Sequence, residues 1–267
     1  MSARTPPAYC DPLTTVAWAA LDPDRPWLPD DLVSLAGDPA WDRLTPTARI
    51  ALSHLEFLAL IDLGLWLEAY LLRALGRAAP VARHLGAAAY AAQLHELREE
   101  AGHSLMFLEI LRRAPHTLPP VPRPRLVTAG ARLLPGSSGL FWGAVLIGET
   151  VAVELNRRIR DSDAIPDPIR QIADIHLRDE ARHVAYARHR VAEAISQRPH
   201  PLGAAALRLL AGRFLATCFH PPPALYQAAG LPSALAATAR VNPIRNALAA
   251  SCLAPAGRYL GRFGLRL

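Results

Sequence analysis

LIDLGLWLEAYLL, residues 60–72, and LFWGAVLIGETVAV, residues 140–153, are apolar nearly all the way round a helix. Helices of that kind are buried. Each nevertheless carries a carboxylate, Glu68 in the first and Glu149 in the second. A carboxylate withdrawn from water needs an ion partner or a metal to offset the cost. Neither acid has a basic residue three or four positions away, so its own helix cannot supply that partner.

Candidates lie further along the chain. Glu100 and His103 form one Glu-x-x-His set, and Glu180 and His183 form another. Residues three apart share a helix face, so each set presents a carboxylate and an imidazole together. Glu100 follows Glu68 by 32 positions, and Glu180 follows Glu149 by 31. Ten glutamates and ten histidines in 267 residues yield about 0.4 such sets by chance, so two at matched spacing carry weight. A four-helix bundle holds two metals in this way, with a lone Glu from two helices and Glu-x-x-His from the other two. Mixed carboxylate and imidazole donors with open positions favour iron or manganese over structural zinc. His176 lies four residues before Glu180 on the same face. Spacing alone leaves it open as a third imidazole ligand, an outer partner or a core histidine.

Two more acids flank these sets. Glu99 and His103 are i, i+4, as are Asp179 and His183. Glu99 and Asp179 are therefore expected to accept the outer ring N–H of the histidine on their own helix. Glu99 also belongs to an acidic run with Glu96 and Glu100, whose alternative role is a solvated face. Glu96 is not expected to ligate. Glu154 is expected to pair with Arg157 or Arg158, and Asp62 points about 120° away from Glu68. His95, His116, His189, His200 and His220 lack ligand spacing, and Cys218 and Cys252 read as small core residues.

Twenty-five prolines divide the chain into blocks. Residues 1–44, with Trp18, Trp27 and Trp41, read as an irregular arm packed by its aromatics, and 45–267 as a single helical domain. Thr45-Pro46 is an N-cap with proline at the first helical position, opening a helix of about 45 Å that runs to Gly76. A second helix starts at Pro80 or Gly86 and ends near Pro115. Residues 115–138 hold six prolines and form a long crossover, with one short helix near 124–133. A third helix spans about 139–160, and a fourth runs from Pro166 or Pro168 to near Pro199. Weaker helices follow at about 201–218, 232–239 and 244–262. β-branched alternation is sparse and no Asn-Gly or Asp-Gly turn occurs, so the class is all-α.

Composition removes several functions. All 29 basic residues are arginine, which excludes Schiff-base lysines and the lysine of a phosphate-binding Walker loop. No Gly-rich phosphate loop or local serine or cysteine triad is present, and Gly136–Gly139 reads as a helix cap. Three distant cysteines without redox or zinc spacing fit a reducing compartment. No secretory leader or charge-free apolar run of about 18 residues is seen, so a cytoplasmic protein without a membrane partner is expected. The net charge of +6 is scattered without aromatic interleaving, so no nucleic-acid partner is expected.

With His176 included, the set Glu68, Glu100, His103, Glu149, His176, Glu180 and His183 resembles the p-aminobenzoate N-oxygenase family. The entry Trp41…Leu44-Thr45-Pro46 and the stretches Tyr226…Ala229-Gly230-Leu231 and Arg240-Val241-Asn242-Pro243 are similar to it too, so the likeness covers about residues 40–260. It implies a ferritin-like bundle with two iron ions held by those seven residues and O2 as co-substrate. It also implies oxidation of an amine nitrogen, foremost an arylamine, to hydroxylamine, nitroso or nitro products in natural-product assembly. An external electron donor and a homodimer are expected. The rivals are a diiron hydroxylase or desaturase of the same fold, and a non-enzymatic iron-binding protein. Leu65, Leu71, Leu72, Met106, Val145, Ala152 and Val153 lie a turn from the ligands and are candidate cavity walls, with Gly64 leaving space. One of Arg240, Arg245, Arg258, Arg262 and Arg266 is a candidate to hold an acidic substrate's carboxylate.

Overall fold

A computed structural model describes residues 9–123, 125, 128–129, 132, 134, 136, 138–197 and 203–267. All regular structure among them is helical. The arm holds two one-turn helices, α1 (Pro12–Thr15) and α2 (Pro39–Asp42). The bundle is α3 (Pro46–His84), α4 (Ala87–Arg113), α5 (Gly139–Arg160) and α6 (Asp167–Gln197). Four C-terminal helices follow: α7 (Gly203–Phe219), α8 (Pro223–Ala228), α9 (Leu235–Val241) and α10 (Pro243–Gly261). Most of the short helix expected near 124–133, and His200, lie outside the described residues. The one-and-a-half turns of α8 were not anticipated.

One device opens several helices. Asp11, Asp38, Thr45 and Asn242 each cap a helix whose next residue is proline, which has no N–H to orphan. Ser138 caps α5 by accepting from the Phe141 N–H at 3.1 Å. The helix runs through Gly76, where its end was expected, and through Pro80, one of the two starts expected for the next helix; both positions are solvent-exposed, and the other expected start, Gly86, is the one that holds. Water can satisfy the carbonyl that Pro80 leaves unpaired. The break falls at Gly86, whose φ of 113° suits a residue without Cβ. α3 is therefore about 58 Å long.

α3 packs along α4, and α5 along α6, as two hairpins that meet where α4 touches α6. α5 is also covered by α7 and α10, which explains why its sequence is apolar nearly all round. Between α3 and α5, with α7 as a roof, lies a partly open cavity of about 130 Å3. By length and composition α3 and α5 are apolar enough to cross a membrane, contrary to the expectation of no such helix. Burial in the bundle demands that same apolarity.

The arm joins the common core: Trp27, Leu28, Val33 and Leu35 are fully buried with the bundle residues. A buried polar clasp ties it to the C-terminal helices. Ser34 donates its N–H to Glu56 Oε2 at 2.8 Å, and its hydroxyl meets both Glu56 and, at 2.6 Å, the Tyr226 hydroxyl. Arg245 donates to the carbonyls of Leu32 and Phe219 and lies 3.8 Å from Glu56. Asn242 donates to the carbonyls of Ser34 and Ala36. Arg245 is thus a clasp, not a substrate anchor.

Candidate metal centre

The seven donors come from the four bundle helices. Glu68 is on α3, Glu100 and His103 on α4, Glu149 on α5, and His176, Glu180 and His183 on α6. Glu68, His103 and His176 each bring a donor atom within 4.8 Å of the others, and so do Glu100, His103 and His183. His103 Nδ1 lies 3.3 Å from Glu100, 3.7 Å from Glu68 and 4.0 Å from Glu180. His183 Nδ1 lies 3.0 Å from Glu100 and 3.5 Å from Glu180, and His176 Nε2 lies 2.7 Å from Glu180. Glu149 is partly exposed, and its exposure is to the cavity, which Glu68 and His176 also line.

The electrostatics alternate around the cluster. Burial, and then the neighbouring Glu100, pushes the Glu68 carboxyl well above the usual range. Burial and Glu180 do the same to Glu149. Burial opposes ionising Glu100, but His183 and His103 outweigh it and hold it low. His176 and His183 likewise hold Glu180 low against burial. Burial disfavours charge on His103 and His183, yet their carboxylate neighbours raise both. Protons on these groups compete with any metal.

Glu100 Oε1, both oxygens of Glu180, His176 Nε2 and His183 Nδ1 are buried, and although some of them lie 2.7–3.0 Å apart, none makes a well-directed hydrogen bond among the described residues. Orphaned acceptors of this kind are costly in a protein interior. They converge on one point, and a pair of divalent cations fits them by charge and by donor type.

The outer carboxylates differ from expectation. Asp179 does not serve His183 on its own helix but meets His103 Nε2 on α4 at 3.2 Å. Glu99 does not serve His103 but meets His183 Nε2 on α6 at 3.3 Å. With Nδ1 turned inward, each ring's Nε2 points across the α4–α6 seam, where the acid of the opposite helix waits. Arg182, unforeseen from sequence, locks both acids, at 2.8 Å from Glu99 and 2.7 Å from Asp179. Glu99 is buried rather than solvent-facing, and Glu96 also reaches His183 Nε2 at 3.1 Å. Burial lifts the Glu96 carboxyl to about 7.

His176 Nδ1 sits 2.7 Å from the side-chain amide of Asn156. Asn156 was missed, although it lies seven residues after Glu149 and so on the same face of α5. The Asn156 amide nitrogen faces Nδ1; were Nε2 to hold a metal, Nδ1 would carry the proton and the amide would have to turn its oxygen to accept it. Glu154 pairs with Arg157, and Asp62 turns away to Arg123. Of the expected walls, Gly64, Leu71, Val145 and Ala152 line the cavity; Leu65, Leu72, Met106 and Val153 are not among its described lining. Gly64 makes room chiefly for Phe107, because a Cβ there would lie 2.8 Å from its ring. Phe107 in turn packs edge-on against His176 with centroids 5.4 Å apart.

A helical bundle with buried Glu and His donors converging between its helices is the architecture of the dimetal carboxylate proteins. The chain belongs to the p-aminobenzoate N-oxygenase AurF family, a family of diiron oxygenases, whose model matches residues 2–264. Uncharacterized proteins of Mycobacterium tuberculosis and Mycobacterium bovis are each 26% identical over 185 residues, 66% of this chain and 54% of theirs. The chain spans about half the length of these curated relatives.

Proposed function

We propose that this chain is a diiron, O2-dependent N-oxygenase that converts an amine, foremost an arylamine, to its hydroxylamine or beyond. The observation that supports this reading is the convergence of orphaned donors from Glu100, His176, Glu180 and His183 beside Glu68, Glu149 and His103, at the floor of an apolar cavity. Two irons bound there supply the redox chemistry of O2. In the net reaction one oxygen atom enters the C–N–H group and the other leaves as water. An external donor provides two electrons, and solvent two protons.

The chain's own residues do the remaining work. Glu68, Glu100, Glu149 and Glu180 match the charge of two divalent ions. His103, His176 and His183 add neutral donors. Asp179, Glu99 and Asn156 fix how those rings face. Apolar walls such as Leu67, Val145 and Phe214 exclude water from the reacting nitrogen. The reading includes a cytoplasmic homodimer that binds neither nucleic acid nor membrane, which sedimentation distinguishes from a storage shell.

The test is metal analysis followed by turnover. Two irons per chain are expected, with N-oxidised product when reduced protein meets O2 and a panel of aryl and alkyl amines. His176→Ala should alter the O2 chemistry. A broad panel yielding only C-hydroxylated or desaturated product would transfer the reading to a hydroxylase of this fold.

A further inference from the structure

The cavity between α3 and α5 is lined by Glu68, Glu149, His176 and Tyr70, and otherwise by apolar groups such as Leu67, Ile147 and Phe214. No arginine lines it among the described residues, and the chain has no lysine. The nearby cations are committed elsewhere. Arg73 stacks on the outer Tyr70 ring at 5.1 Å and donates to the Arg132 carbonyl. Arg123 pairs with Asp62, and Arg245 is clasped among Glu56, Leu32 and Phe219. The metal centre adds no surplus charge, since four carboxylates and two divalent ions cancel. The volume of about 130 Å3 suits one ring, because an apolar cavity of about 150 Å3 takes benzene.

We propose that this cavity accepts an uncharged single-ring amine and rejects a carboxylated one, so that p-aminobenzoate is not this chain's substrate. The proposal rests on the amine reading above and narrows it. With its amine at the metal centre, a ring carboxylate would end among the apolar walls, with no cation in the described lining to meet it. An unpaired ion withdrawn from water is the costliest group to bury. An aniline is uncharged near neutral pH; its N–H groups can donate to the carboxylates, and its nitrogen lone pair is left for oxidation.

Binding tests this separately from turnover. The full chain, loaded with iron(II) and kept under nitrogen, is titrated calorimetrically with 4-methylaniline and with 4-aminobenzoate, which differ only in methyl against carboxylate. The methyl compound should bind at least about 100-fold tighter. Ala144→Leu, which fills the cavity, should weaken it at least about tenfold while thermal unfolding stays cooperative. Phe214→Ala, which enlarges the cavity, should admit 1-aminonaphthalene, which the unaltered chain excludes. Equal or tighter binding of 4-aminobenzoate, binding of neither compound, or indifference to both substitutions would overturn the proposal. Should 4-methylaniline bind as expected yet give no N-oxidised product with O2, the N-oxygenase reading fails and the cavity's selectivity stands.

Discussion

Asp179 reaches His103 from the neighbouring helix, so its loss reports on the metal centre more than on the fold. Asp179→Asn should weaken iron binding roughly 10- to 100-fold, the usual cost of losing an outer partner of a ligating histidine. A competition titration against a chelator reads this, and an unchanged affinity would show that Asp179 only braces Arg182. His54 makes a different test. It is fully buried against Trp27, its Nε2–H donates to the Arg25 carbonyl at 2.7 Å, and its Nδ1 has no hydrogen-bond partner among the described residues. Burial therefore drives its pKa down to about 4 from the usual 6.5. The unfolded chain takes up this proton first, so acid destabilises the fold from about pH 6.5 downwards, and the loss is complete once pH falls through 4. At pH 4 the loss is about 3 kcal/mol. Urea unfolding at pH 7 and pH 4 should show the loss, and His54→Gln should flatten it. At this scale the ligand residues were legible because an acid in an apolar run is conspicuous. The partners of Glu99 and Asp179 were not, because spacing along one helix says nothing about which ring nitrogen faces the next helix.

At the level of elements, Gly64 sets how closely α3 and α4 approach. Its missing Cβ is the space occupied by Phe107, which is buried and presses on His176. Gly64→Ala should cost about 1–3 kcal/mol, as overpacking does, and should also weaken metal binding through the displaced Phe107 ring. Adding Phe107→Leu should recover part of both losses, measured by thermal unfolding and chelator competition. Should Gly64→Ala shift neither quantity, α4 yields more than a close-packed seam should. Helix starts were readable from Asp-Pro, Thr-Pro and Asn-Pro caps, which act locally. The end of α3 was misread because Gly76 and Pro80 break helices only where their backbone groups lack water, and exposure is a tertiary property.

Across the whole molecule, the clasp of Ser34, Glu56, Tyr226, Asn242 and Arg245 joins the arm, the bundle and the C-terminal helices. Arg245→Ala should destabilise the protein by about 3–5 kcal/mol, because it strands the buried Glu56 beside unpaired carbonyls. Glu56→Gln alongside it should cost less than the sum of the two single changes, read by urea unfolding of the full cycle. An additive cycle would mean that Glu56 and Arg245 do not interact. The arm read as irregular because its prolines hide any periodicity, and its tryptophans, with Leu28, Leu32 and Leu35, are part of the common core.

The sequence by itself determined the helical class, and periodicity with the cost of burying charge singled out Glu68, Glu100, His103, Glu149, Glu180 and His183 as candidate donors, while His176 joined them only by resemblance. The sequence also excluded every lysine-dependent chemistry. Only the tertiary structure decided that Asp179 and Glu99 exchange helices, that Asn156 holds His176 and Arg182 locks both acids, and that no described arginine enters the cavity. These depend on which side chains meet across the seams between helices, and residues 20 to 84 positions apart carry no spacing by which to find each other.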